Sequence, residues 1–112
     1  IVQNYIGQIL FHAPKDKDGF WIDKNVAKIL DNFHNKKMLS GFRTECINSR
    51  GDVYVDTSGE SDNSIGMLWE KRTYELRNIN MFNFAEITEE IAESYYNMAR
   101  EHQEFANLQN ME

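Results

Sequence analysis

Over residues 65–108, hydrophobic side chains recur every three or four positions, in two stretches separated by NINMFNF. This spacing is that of one face of an α-helix. The pattern therefore predicts two helices, at about 62–79 and 83–108, that fold back on each other as an antiparallel pair. The first stretch comprises Ile65, Leu68, Trp69, Arg72, Leu76 and Ile79, and the second Ile87, Ile91, Tyr95, Met98, His102, Phe105 and Leu108.

The second of these helices is the longer one, and its apolar stripe runs for about three heptads. We expect the stripe to extend beyond what the shorter helix can cover, and an uncovered part is typical of an interaction surface. His102 is expected to be a partly buried, hydrogen-bonded side chain, because no other His or Cys lies at metal-ligand spacing from it. The candidate interaction stripe consists of Tyr95, Met98, His102, Phe105 and Leu108.

The N-terminal part of the chain predicts two shorter helices. Residues 2–12 carry apolar side chains at helical spacing, and Pro14 ends the run. Asp23 is a good N-cap for a second helix at about 23–34, because its carboxylate can accept hydrogen bonds from the free N–H groups of the first turn.

The loop between these helices, APKDKDGFWID, has the appearance of half a calcium-binding loop. With Gly19 at position 6 of an EF-hand loop, Asp16 and Asp18 fall at the ligand positions 3 and 5. Position 1 is then Pro14, and position 12, which needs a bidentate glutamate, is Asn25. The loop supplies two of the four ligands required, so no metal site is predicted there.

The pattern changes over residues 42–57. FRTECIN alternates, with Phe42, Thr44, Cys46 and Asn48 on one side, and VYVDT is β-branched and aromatic. The glycine in the intervening SRGD suits a tight turn, so the segment predicts a β-hairpin at about 42–57. The predicted fold is one α+β domain over residues 1–112, mostly helical, with two N-terminal helices, the hairpin and the long helical pair.

Composition indicates a globular protein of a reducing compartment. Of the 112 residues 41% are hydrophobic, and the single cysteine, Cys46, rules out a disulfide framework. The apolar runs are far shorter than the roughly 20 residues that a membrane span needs. We therefore expect a cytoplasmic protein that has no membrane-spanning segment.

No motif predicts catalysis or a cofactor. The signatures GxSxG, GxGxxG, GxxxxGK[ST] and HExxH are absent. Cys46 lies in the predicted strand, away from any helix N-terminus that would activate its thiol, and is expected to be a small core residue. An enzyme would need a pocket near Trp21, Arg43 and Arg50.

Charge is unevenly distributed along the chain, whose net charge is −6. Residues 85–112 hold seven acids and one base, whereas residues 24–50 hold six bases and two acids. Such polarity can mark a partner surface or a head-to-tail contact between copies. The alternative is that each region is a solvated face.

Nucleic-acid binding is the alternative function that the basic middle region suggests. A helix at 23–34, the basic stretch HNKKMLSGFR and a short hairpin would resemble a winged helix-turn-helix. The sequence pI near 5.0 and the acidic last helix argue against it. The residues that would face phosphates are Lys28, Lys36, Lys37, Arg43 and Arg50.

The motif DGFWID…VAKIL…GFR…NSRG…VYVDTSGE, followed by AESYYNMA, resembles a family of small uncharacterised bacterial proteins. The resemblance covers residues 18–100 and implies a bacterial or phage origin, with no activity attached. It departs from the family pattern at Asp56-Thr57, where the family has Asp-Pro. The matching residues are Gly19, Phe20, Trp21, Gly41, Phe42, Arg43, Asn48, Arg50, Gly51, Asp56 and Gly59.

Candidate binding residues gather at the predicted hairpin. Arg43 and Arg50 could pair with an acidic or phosphate group, or Arg50 and Asn48 could tie the hairpin to the next loop. The set comprises Trp21, Arg43, Asn48, Arg50 and Asp56. We predict a non-enzymatic protein-interaction module, self-associating through its long last helix, with a nucleic-acid-associated regulator as the alternative.

Overall fold

A computed structural model describes residues 2–50 and 60–110 of the chain. Over these two ranges the fold is entirely helical and contains no strand, so the predicted α+β class is wrong. A short 3₁₀ helix, Phe33–Asn35, precedes the third α-helix. The α-helices are α1 (Val2–Leu10), α2 (Lys24–Asp31), α3 (Lys36–Arg50), α4 (Glu60–Asn78) and α5 (Phe82–Asn110).

The predicted β-hairpin is also wrong, because residues 42–50 form the second half of α3. Phe42 and Cys46 are both buried, and a separation of four residues fits an alternating strand as well as a turn of helix. Strand alternation would place Thr44 and Asn48 on the same side as Phe42, but both are exposed. Residues 51–57 of the predicted hairpin lie outside the described ranges.

Asp23 caps α2 as predicted. Its Oδ1 accepts hydrogen bonds from the backbone N–H groups of Asn25 at 2.8 Å and Val26 at 3.2 Å. Asp31, at the other end of α2, accepts a bond from the backbone N–H of Phe84 at 2.9 Å. A carboxylate from α2 thereby satisfies a free donor in the first turn of α5, which fixes these two helices to each other.

α4 and α5 form the helical hairpin that the apolar spacing predicts. The chain reverses at Asn80, which adopts the left-handed conformation (φ 63°). The N–H of Met81 bonds to the carbonyl of Leu76 at 2.9 Å, and the N–H of Asn80 bonds to that of Arg77 at 3.0 Å. These two bonds form a Schellman motif, in which asparagine is the common substitute for glycine.

Cross-helix contacts define the register of this hairpin. Buried hydroxyl groups of Thr73 and Thr88 lie 2.6 Å apart near the turn. At the opposite end, Asp62 Oδ2 lies 2.9 Å from His102 Nδ1. In this register residue 60 is opposite residue 104, so the last turns of α5 extend past the described start of α4.

α1 packs on α3 through two glycines. A β-carbon on Gly7 would lie 1.8 Å from the carbonyl oxygen of Met38, and one on Gly41 would lie 2.0 Å from that of Asn4. The two backbones are therefore in direct contact, which only residues without a side chain permit.

An aromatic cluster forms the centre of the core. Phe84 is fully buried, and its ring meets that of Phe42 edge-on at 5.1 Å. Trp69 contacts Phe42 at 6.0 Å and Trp21 at 5.6 Å. The cluster joins α3, α4, α5 and the loop before α2 into one core.

Candidate functional site

Three of the five predicted binding residues have side chains that the structure describes, and these three lie in different surroundings. Trp21 belongs to the aromatic cluster, whereas Arg43 and Asn48 are exposed on α3. Arg50 is the last residue of α3, and Asp56 lies outside the described ranges. The hairpin that was expected to group them is absent from residues 42–50. In the nucleic-acid alternative this hairpin was to be the wing of a winged helix-turn-helix, and residues 42–50 do not form it.

The candidate interaction stripe is only partly uncovered. Tyr95 is buried, and its hydroxyl donates to the backbone carbonyl of Cys46 at 3.2 Å. Met98 packs against the core, and His102 faces Asp62. Phe105 and Leu108 are 58% and 63% exposed.

The last part of α5, which we call the α5 tail (residues 101–110), combines this apolar face with acidic charge. Phe105 and Leu108 are three residues apart and therefore share a face of the helix. Glu101 and Glu104 are exposed, and the tail contains no lysine or arginine. The tail is an acidic amphipathic helix, and among residues 2–50 and 60–110 its apolar face stays largely exposed.

α1 presents a second exposed apolar face. Because Gly7 occupies the side that touches α3, the hydrophobic side of α1 faces away from the core. Val2, Tyr5 and Ile9 are 71%, 67% and 66% exposed. Helical spacing predicted this helix, but only the small residue at position 7 indicates which side packs inward.

A basic groove of about 590 Å³ adjoins that face. The Lys36 ammonium lies 4.7 Å from the centre of the Phe33 ring, so the lysine borders an exposed aromatic surface. None of the described residues that line the groove is acidic. The groove, which we call the α1 groove, is formed by Val2, Gln3, Phe33, His34, Lys36 and Lys37.

Two polar contacts cross a groove of about 620 Å³ between α4 and α5. Arg77 forms an ion pair with Glu89, and the Tyr96 hydroxyl donates to Glu70 Oε2 at 2.6 Å. This hydrogen bond to a carboxylate, together with burial, raises the pKa of Tyr96 to about 12. These four side chains thus bind one another in pairs across the groove.

Asp18 stabilises a turn in the loop at residues 13–23. Asp18 accepts from the backbone N–H of Phe20 at 3.0 Å and forms an ion pair with Lys24. The hydrogen bonds from Lys24 and Phe20 lower the pKa of Asp18 to about 2. Gly19 follows in the left-handed region at φ 93°.

Within residues 2–50 and 60–110, no group of three or more His, Cys, Asp or Glu side chains is placed to hold a metal ion.

Cys46 is a buried thiol of α3, and we expect it to be unreactive in the folded protein. Burial raises its pKa to about 11, so the thiolate is scarce at pH 8. Ellman's reagent at pH 8 should label native protein at least about 100-fold more slowly than protein unfolded in guanidinium chloride. Because Cys46 is the only cysteine, the signal reports this thiol alone. Equal rates would contradict the buried position.

Protein-family models, curated proteins and solved structures give no match to this chain. The resemblance to a bacterial family therefore stays a prediction. None of the described helices combines the length and the apolar character required to cross a membrane.

Proposed function

We propose that this protein is a non-enzymatic interaction module that self-associates head to tail, with the α5 tail of one copy lying in the α1 groove of the next. The observation that carries this proposal is the complementarity of two exposed apolar surfaces on one chain. One surface bears acidic residues and the other bears basic residues.

Hydrophobic burial supplies the driving force for this contact. Phe105 and Leu108 would move from water onto the Phe33 ring and the outward face of α1. Full burial of a Phe or Leu side chain contributes about 1.5–3 kcal/mol. An amphipathic helix in an apolar groove is a recurrent mode of recognition, with anchors spaced at three and four residues.

Charge determines which surfaces meet. Two α5 tails packed against each other would bring Glu101 and Glu104 of both copies together, with no base in either tail to offset them. In the α1 groove the same carboxylates would face Lys36 and Lys37. Opposite charge favours this heterologous contact and disfavours a symmetric pairing of tails.

The two elements also match in length. The ten residues of the α5 tail span about 15 Å and the nine of α1 about 14 Å, at the helical rise of 1.5 Å per residue. Each copy would keep a free groove at one end and a free tail at the other. Assembly therefore leads to rings or open chains of copies.

Two variants that each lack one half of the contact test the proposal. The tail variant carries Phe105→Ser and Leu108→Ser, and the groove variant carries Lys36→Glu and Lys37→Glu. Glutamate at the first residues of α3 suits the helix dipole, so the groove variant should fold. Sedimentation velocity at low salt should show larger species for the wild-type protein that dissociate as salt is added.

Each variant alone should remain monomeric. The tail variant should associate about 100-fold or more weakly because it loses two apolar anchors, and the groove variant should fail to associate because its two glutamates repel the acidic tail. An equimolar mixture should form a 1:1 heterodimer and grow no further, because it contains one intact tail and one intact groove. Gln103→Ser with Asn107→Ser, on the opposite face of the tail, is the control and should associate like the wild type. A monomeric wild-type protein, or a mixture that does not form the heterodimer, would refute the head-to-tail contact.

A further inference from the structure

Arg72 lies in a corner formed by two tryptophans. Its Cζ is 4.7 Å from the centre of the Trp21 ring and 4.6 Å from that of Trp69. The two rings meet edge-on, with an interplanar angle of 84°. The guanidinium is held in place by cation–π contacts, which orient it without neutralising its charge.

Among the described residues this cation forms no ion pair, although the Glu75 carboxylate is close enough to act on its charge. Arg72 Nε is buried and has no hydrogen-bond partner, and no salt bridge between described residues includes Arg72. Burial lowers the pKa of Arg72. Trp21 Nε1 is a second buried donor that has no partner in the described part of the chain. Arg72 as a whole is half-buried, but unsatisfied buried donors such as its Nε are uncommon in native proteins.

Arg72 and Trp21 line a cavity of about 370 Å³ between α4 and the loop before α2. Lys15 provides a second cation at its edge, and none of the described residues that line the cavity is acidic. The remaining walls are apolar. They consist of Phe11, Ala13, Pro14, Ile22 and Trp69.

We propose that this cavity binds a small organic anion, with its carboxylate or phosphate monoester group on Arg72 and Lys15 and its apolar part against the Phe11 and Pro14 walls. A guanidinium presents several N–H donors in a fixed plane that matches both anions. An apolar pocket with a few convergent polar groups is the usual form of a small-molecule site. The basic character of the cavity contrasts with the net charge of −6.

This site is separate from the head-to-tail contact, because the cavity and the α1 groove have no lining residue in common. Anion binding and self-association can therefore be measured and refuted independently.

The two tryptophans provide the reporter. Trp21 and Trp69 are the only tryptophans of the chain, and both contact Arg72. The fluorescence excited at 295 nm should change saturably when phenylacetate or phenyl phosphate is added. The neutral analogue 2-phenylacetamide and sodium chloride at matched ionic strength should produce no saturable change. The comparison of the two anions shows which head group the site prefers.

Arg72→Met should weaken binding of the preferred anion about tenfold or more, since it removes charged hydrogen bonds while keeping a long apolar side chain in the corner. Arg72→Lys should retain part of the affinity. Arg77→Met, which changes an exposed arginine on the same helix, should bind like the wild type. Circular dichroism establishes that each variant is folded.

The indole N–H signals in a ¹⁵N-correlated NMR spectrum provide a second readout, and the Trp21 signal should shift in step with the fluorescence. Three results would overturn the proposal. These are the absence of saturable binding of either anion by both methods, unchanged affinity in folded Arg72→Met, and binding of the neutral amide as tight as that of the anions.

Discussion

Gly7→Ala should lower the free energy of unfolding by about 3 kcal/mol, at the upper end of the range for overpacked substitutions. The added β-carbon would lie 1.8 Å from the carbonyl oxygen of Met38 and 2.9 Å from the backbone nitrogen of Phe42. Backbone atoms inside α3 cannot move aside, so α1 must shift away from α3. Urea denaturation followed by circular dichroism measures the change.

Gly66→Ala is the matched control, because Gly66 also lies within a helix and gains the same helical propensity. The three atoms nearest its β-carbon would all belong to the ring of Tyr96, the first at 2.8 Å, and a partly exposed side chain can rotate away. We expect a change of about 1 kcal/mol or less in either direction. If both alanine variants unfolded at the same urea concentration, the close contact between α1 and α3 would be refuted.

Phe84→Ala should destabilise the protein by about 3–5 kcal/mol, as expected for removal of a fully buried aromatic ring. Phe84 contacts Phe42 at 5.1 Å and Trp21 at 5.7 Å, so its loss leaves a cavity between α5, α3 and the loop before α2. The same denaturation experiment, followed by tryptophan fluorescence, reports the loss at the cluster itself.

Phe82→Ala provides the comparison, since Phe82 is in the same first turn of α5 but is 59% exposed. A surface substitution of this kind changes stability by about 0.5 kcal/mol or less. A similar loss for both variants would mean that the ring of Phe84 is not part of the central core.

The parts of the fold that the sequence predicts well are those with long, regular periodicity. The α4–α5 pair has apolar residues over many turns, so no strand pattern competes with it. The segment from Phe42 to Asn48 is short, and its even spacing fits two structures. The choice of helix depends on Met38 and Leu39 just before it and on the approach of α1 at Gly41, which is a tertiary contact.

The candidate sites were harder to predict for the same reason. Phe105 and Leu108 could be identified as uncovered, because the second helix of the pair is the longer. The corner around Arg72 could not be identified, because Trp21 reaches it from a distant loop. The sequence shows that Arg72 occurs among the apolar positions of α4. This does not reveal which aromatic rings surround it.

The way in which α1 is held also bears on how the protein responds to temperature. Gly7 is the only fully buried residue of α1, so this helix itself brings little apolar side-chain area out of water. The heat capacity of unfolding scales with the apolar area exposed. Docking of α1 should therefore contribute little to that heat capacity. Hydrophobic attraction weakens on cooling, and it acts mainly in the aromatic core. The glycine contact between α1 and α3 depends instead on close packing of atoms, which cooling leaves intact.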